Sequence, residues 1–195
     1  MYALVESGNI TKYFYRPQGF VLNDSQYSAD IFTKWTKSEK EAIGLYEVIE
    51  DNTNWKNPDW YNNTAKSFTF DASANTVTST YGTSTAKAHA DVTVDDVVTP
   101  GLKTILIKEL KEQVSNNLKK TDWYVTRKSE KSTAIPSDIT THRDAVRTKQ
   151  ASMETSITNA ADTPALETLY TYVNTGTEES PVYERPIGEL PELES

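Results

Sequence analysis

The chain of 195 residues contains no cysteine, which excludes disulfides, thiolate metal sites and a cysteine nucleophile and leaves the redox compartment open. Only two histidines are present, His89 and His142, with no His-x-x-x-His spacing and no Asp-rich loop beside them, so a metal site has no motif to build on. Seven glycines supply neither a phosphate-cradling loop nor Gly-rich disorder. No apolar run approaches the roughly 18 residues of a membrane span, and the opening Met-Tyr-Ala-Leu-Val-Glu has no basic leader, so the chain reads as soluble and unprocessed. Hydrophobic residues make up 36%, low for a single compact globule, in a length that suits one ordinary domain or two small ones.

What is present is unevenly charged. Residues 1–100 carry 8 Lys/Arg against 13 Asp/Glu, residues 101–150 carry 11 against 6, and residues 176–195 carry 1 against 6, within a net charge of −8. The basic middle segment invites comparison with nucleic-acid binders. It lacks the aromatic interleaving and Gly-rich motifs of that class, and a solvated helix surface accounts for it. An acidic end beside a basic helix also permits pairing within or between chains.

The first hundred residues have the composition of strands. Tyr2–Val5 and Ile10–Tyr15 flank Glu6-Ser7-Gly8-Asn9, a hairpin signal. Thr36-Lys37-Ser38-Glu39 fits a capping box, predicting a short helix that stops at Gly44. Leu45–Ile49 reads as a strand, and Ser67–Phe70 with Thr76–Tyr81 reads as a second hairpin. From Leu102 the period becomes helical: Leu102, Ile105, Leu106, Leu110, Val114 and Leu118 form one stripe. Thr121-Asp122 offers an N-cap for a further turn containing Trp123 and Arg127, and Ser129–Ala134 reads as a polar connection. Pro136-Ser137-Asp138 opens a long helix with a heptad-like seam at Ile139, Val146, Met153, Ile157 and Ala160. Asp162-Thr163-Pro164 restarts a helix whose packing face is Leu166, Leu169, Tyr170 and Val173. The expected fold is α+β. A small β-rich domain over 1–99 precedes a helical hairpin or bundle over 100–174 and an extended acidic Pro/Glu tail over 175–195.

Candidate sites are few. Asp95-Asp96 and Glu178-Glu179 are adjacent carboxylates, but a glycosidase needs its pair placed across a sugar ring, and neighbours in sequence do not supply that. No Gly-x-Ser-x-Gly elbow exists. Catalytic, cofactor-binding and metal-ligating residues are therefore expected to be absent. Trp55, Trp60 and Tyr61 lie among Asn52, Asn54, Asn57, Asn62 and Asn63. Such a loop either packs or contacts a partner, or stacks on a glycan through its rings and amides. The most informative segment is Leu118–Arg127 with Ile135-Pro136 and His142–Arg147. It joins a Trp read as buried to Arg127, Arg143 and Arg147. Arg143 and Arg147 are i, i+4 neighbours facing the same way, and Arg127 is suited to stacking on a ring or pairing with Asp122 or Asp144. His142 reads as an interface or surface residue. The segment reads as a joint that fixes the angle between helices.

Asp-Trp, an Arg four residues after the Trp, a Pro, and then a Tyr-Arg-x-x-Leu-Arg element make a C-terminal pattern of tailed-bacteriophage tail-fibre assembly proteins and related tail- or fibre-associated virion proteins. Asp122, Trp123, Arg127, Pro136, Arg143 and Arg147 resemble it, with His142 in place of the usual Tyr and Val146 in place of the usual Leu. The resemblance spans about residues 100–170. It implies a non-enzymatic docking or adaptor component of the tail or fibre, made in the host cytoplasm and carried in the virion. Its partners would be other tail or fibre proteins, in a homo-oligomer or a symmetric assembly. An assembly chaperone is the alternative, and a host-glycan-binding module carried by the aromatic loop is a second.

Overall fold

The computed structural model describes residues 1–193 and contains two compact units, Met1–Thr85 and the chain from Ala86 onward. Its class is mixed α+β. In the first unit, strands β1 (Tyr2–Glu6) and β2 (Asn9–Phe14) form the expected hairpin, followed by β3 (Phe20–Leu22), β4 (Ser25–Tyr27), α1 (Ile31–Lys34), α2 (Lys37–Ala42) and β5 (Leu45–Asp51). After β6 (Tyr61–Asn62) come β7 (Lys66–Asp71) and β8 (Thr76–Tyr81), the second expected hairpin. The main sheet has the order β2-β1-β5-β8-β7. Its pairings are antiparallel except β5–β8, which runs parallel from Val48↔Val77 to Asp51↔Thr80. The sheet curls until its two edges approach, bringing the rings of Tyr13 and Phe68 to 4.7 Å. Curling shields strand edges that would otherwise be templates for aggregation.

Alternation along these strands divides the buried residues between two faces. One cluster joins Leu4, Phe14, Phe20, Leu22, Ile31, Phe32 and Leu45, so α1 and the β3–β4 hairpin close that side. The other holds Ala3, Tyr46, Val48 and Val77 inside the curl. The capping box at α2 forms as the sequence indicates: Glu39 N–H donates to Thr36 Oγ1 (3.3 Å) and Thr36 N–H donates to Glu39 Oε2 (2.8 Å). Gly44 follows at φ +78, the left-handed stop that helices favour.

Two hairpins with two-residue turns escape the sequence reading, β3–β4 and, in the second unit, β10 (Val92–Val94) with β11 (Val97–Thr99). Between β8 and β10 lies the short strand β9 (Thr85–Ala86). Both hairpins turn on two residues at positive φ, Asn23 (+47°) with Asp24 (+61°) and Asp95 (+48°) with Asp96 (+61°), as a type I′ turn requires. The signal was an Asn-Asp pair between Phe-Val-Leu and Ser-Gln-Tyr, and an Asp-Asp pair between β-branched triplets, with no glycine to announce either.

The helical unit contains α3 (Leu102–Lys119), α4 (Asp122–Lys131), α5 (Ser137–Asn159) and α6 (Thr163–Tyr170). α3 and α5 pack antiparallel: Asn117 near the end of α3 meets His142 near the start of α5, and Lys103 Nζ donates to the Thr158 carbonyl at the opposite end. The expected seam of α5 is buried at every position, Ile139, Val146, Met153, Ile157 and Ala160, against Leu110 and Val114 of α3. Ile105, assigned by its spacing to the α3 stripe, is exposed instead. α4 runs to Lys131, further than the single turn expected, and stops where Ser132 turns left-handed at φ +57.

The segment before α3 belongs physically to the helices. The Ala88 and His89 carbonyls accept from Leu102 N–H and Lys103 N–H, two of the donors a helix start leaves unsatisfied. Thr163 Oγ1, buried at the start of α6, donates to the Lys87 carbonyl at 2.6 Å. Asp91 Oδ1 accepts from Gly101 N–H (2.8 Å) and Thr104 Oγ1 (2.6 Å), and these two bonds, the hydroxyl foremost, hold its carboxyl below the usual Asp range. A depressed folded value contributes stability that is present above the ordinary Asp pKa and lost as pH falls through the folded one. Protection of the amides across Val92–Thr99, taken relative to intrinsic exchange at each pH, is therefore expected to fall in acid below the ordinary Asp range. Asp91→Ala should exchange fast at neutral pH and lose that acid step; an unchanged acid profile in the variant would assign the anchor elsewhere.

Residues after Asn174 do not form a free arm. Strand β12 (Val173–Asn174) pairs with β13 (Tyr183–Glu184), so Val173 lies beyond α6 and is exposed. The chain then returns to the helices: Ile187 is buried, its N–H donates to the Leu169 carbonyl (3.0 Å), and the Pro191 carbonyl accepts from Asn117 Nδ2 (2.9 Å). Arg185 stacks over Tyr170 and Tyr172 and pairs with Glu189. The proline and glutamate content reads as disorder, but a single apolar anchor at Ile187 with main-chain bonds to the helices fixes this stretch. Glu194 and Ser195, the end of the expected tail, lie outside the described residues.

Candidate functional site

The joint between α3, α4 and α5 is built on two polar residues set in an apolar seam. Between Ile139 and Val146 the seam carries His142 and Arg143, both buried. Burying a guanidinium is costly unless its donors are met. Arg143 Nη1 meets three acceptors: the Leu118 carbonyl (2.9 Å), Thr121 Oγ1 (2.6 Å) and Asp122 Oδ1 (2.9 Å). The first lies in the last turn of α3, the second is the corner residue and the third opens α4, so one side chain pins all three segments. Thr121 is itself buried and donates to the Leu118 carbonyl (3.0 Å). It therefore does not cap α4 with its side chain, as its position before Asp122 suggested. The hydroxyl is drawn into the arginine cluster.

His142 extends the network. Its Nε2 lies 2.9 Å from Asn117 Oδ1. Since Asn117 Nδ2 donates to the Pro191 carbonyl, Oδ1 is the acceptor, and the proton on this contact belongs to His142 Nε2. A line of hydrogen bonds thus runs from α5 through α3 to the returning chain. Asn117 was not anticipated, and Leu118 and Thr121, though within the segment singled out, were not read as acceptors for Arg143. Asn117 sits one residue from the apolar stripe of α3, and that proximity was its only sequence signal.

The remaining motif residues distribute themselves differently than spacing implied. Arg143 pairs with Asp122 across 21 residues, whereas Arg147 is exposed and makes only a surface pair with Asp144 (3.4 Å). Pro136 precedes α5 and its carbonyl accepts from Thr140 N–H (3.1 Å) in the first turn. Trp123, read as buried, is 51% exposed. The guanidinium carbon of Arg127 lies 4.7 Å from the Trp123 ring centroid and 5.3 Å from that of Tyr124. Arg127 Nε is buried without a hydrogen-bond partner, and among the described residues Arg127 forms no ion pair. α4 has no buried residue at all.

The aromatic loop of the first unit separates in the same way. Trp60 and Tyr61 are 8% and 6% exposed, leaving only Trp55 open to solvent at 47%. Its amides are largely spent on the loop: Asn63 accepts from Lys56 N–H and donates to the Lys56 carbonyl, Asn54 donates to the Tyr81 carbonyl, and Asn57 accepts from Asp59 N–H. Burial withdraws Trp60 and Tyr61 from ring stacking on a sugar and agrees with their packing role.

Among the described residues no group of three or more His, Asp or Glu is placed to hold a metal ion, and no helix is long and apolar enough to cross a membrane. A groove of about 710 Å³ runs along α3 from Thr104 to Lys119 and is lined by that helix alone, so it is an open face without an opposing wall. Chemically, the arrangement fastens helices and displays a cation on an aromatic pair. The chain matches no family model, no curated protein and no solved structure.

Proposed function

We propose that this chain is a non-enzymatic structural component of a bacteriophage tail or tail-fibre apparatus, docking to other virion proteins. The observation that carries this reading is the division of labour among five of the six residues of the phage-like pattern. Asp122 and Arg143 lock the corner between α3, α4 and α5, and Pro136 opens α5. Trp123 and Arg127 are turned outward on α4. Such a pattern stiffens a scaffold and offers a surface for contact, with Trp and Arg the residue types enriched where protein surfaces bind tightly. The polypeptide would be made in the host cytoplasm and carried in the tail. Mass spectrometry of purified particles of the encoding phage is expected to find the chain in stoichiometric amount. Its absence from particles, with recovery only in complexes of unassembled fibre, would replace this reading by an assembly chaperone.

A further inference from the structure

Two features of the helical unit present faces that nothing else in it covers among the described residues. The first is the β10–β11 hairpin. Val92, Val94, Val97 and Val98 are 44–66% exposed, and Val92, Val94 and Val97 share one face of the ribbon, because cross-strand pairs point the same way. Its tip is Asp95-Asp96, and neither carboxylate is engaged in a hydrogen bond or ion pair among the described residues. A lone two-stranded ribbon in water is marginally stable at best. The second feature is α4. A 10-residue helix with no fully buried residue is short for independent stability. Trp123, Arg127 and Lys131 follow one another at i, i+4 and i+8, with Tyr124 and Lys128 alongside. Arg127, Lys128 and Lys131 form no ion pair among the described residues, while the acid at the start of the helix, Asp122, is already held by Arg143.

The two features complement each other in charge and in apolar character, and within one helical unit no hydrogen bond or ion pair joins them among the described residues. The hairpin springs from the start of α3, where Asp91 holds Gly101 and Thr104. α4 begins beyond the other end of α3, about 27 Å away for 18 residues at 1.5 Å each. We propose that the Val92–Thr99 hairpin of one copy docks on the α4 face of a second copy. Asp95 and Asp96 meet Arg127 and Lys128, and Val94 and Val97 cover the Trp123 ring. The planar fork of Arg127, pre-set by stacking on Trp123 and Tyr124, accepts a carboxylate in two parallel bonds. Contact between unlike patches of identical chains is head-to-tail, so it generates a ring or an open string of copies. This rests on the tail reading insofar as such assemblies are what a tail requires. Nucleic acid suits the α4 face less well: the unit from Ala86 onward carries 13 Lys/Arg against 18 Asp/Glu, and it supplies its own acidic counterpart.

Sedimentation of the full chain tests the proposal. The wild type is expected to self-associate at low salt and to dissociate as ionic strength rises and the screening length shrinks to about 3 Å at about 1 M. D95K/D96K alone, and R127E/K128E alone, are each expected to weaken self-association at least about tenfold. An equimolar mixture of the two variants should regain it, since the reversed tip then meets the reversed helix. That recovery also shows that both variants fold. A wild type that stays monomeric at high concentration, an association indifferent to both reversals, or a mixture that fails to recover would overturn the contact. So would an R127E/K128E variant whose only loss is affinity for a single-stranded oligonucleotide. A monomer that is nevertheless found in purified particles would sink this contact and leave the tail reading standing.

Discussion

Arg143→Ala is expected to lower the stability of the helical unit by about 2–4 kcal/mol, and Asp122→Ala by under about 1 kcal/mol. The asymmetry follows from where the partners sit. Removing Asp122, whose side chain is 54% exposed, leaves Arg143 its Leu118 and Thr121 acceptors and opens the vacated place to water. Arg143 lies in the seam, and its removal strips donors from the Leu118 carbonyl and the buried Thr121 hydroxyl while opening a space between Ile139 and Val146. Arg143→Lys should rescue little, because the lysine chain is one bond shorter and its ammonium falls short of the point at which Nη1 meets all three acceptors. Urea unfolding followed by the far-UV helical signal, carried mainly by α3 and α5, reads these differences. Equal losses for Arg143→Ala and Asp122→Ala would mean that the ion pair, and not the main-chain and hydroxyl contacts, holds the corner.

The second large effect is expected at Gly44. Its φ of +78 disfavours any side chain, and a Cβ built there would lie 2.3 Å from the Val5 carbonyl oxygen. The closeness is structural. Val5 N–H donates to the Gly44 carbonyl at 2.8 Å, where β1 changes register between Leu4 and Val5, so the helix stop is pressed against the sheet. Gly44→Ala adds left-handed strain of about 1–2 kcal/mol to a main-chain collision that only movement of β1 relieves. The expected loss in the first unit is about 3 kcal/mol or more. A thermal melt should show the β-rich unit falling by roughly 10 °C or more while the helical unit is unmoved. A Gly44→Ala protein melting like the wild type would mean that β1 yields freely at its bulge.

How far the sequence disclosed this fold depends on the range of the forces involved. The buried line Ile139–Ala160 was legible because helical period and burial coincide there, and the capping box at Thr36 because its donors and acceptors are three residues apart. The parallel pairing of β5 with β8 was not, since nothing local to Val48 names Val77 as its neighbour. The arginine site was half legible. Spacing on one helix places Arg143 beside Arg147, but burial separates them, and the partner of Arg143 comes from another helix. Trp123 failed for a different reason. Its ring is covered on one side by Arg127 and Tyr124, which satisfies an aromatic at the surface without enclosing it. The returning segment through Ile187 was masked by its own composition, in which one apolar residue outweighs a surrounding excess of glutamate and proline.

The bond pattern ahead of α3 sets a rule for anyone who would move the helices to another protein. A cut at Pro100-Gly101, the natural place by composition, would strand the α3 start without the Ala88 and His89 carbonyls and strip Thr163 of its acceptor at Lys87. A transplant beginning at Ala86 carries these fastenings with it, and brings the valine ribbon along whether or not the recipient has any use for it.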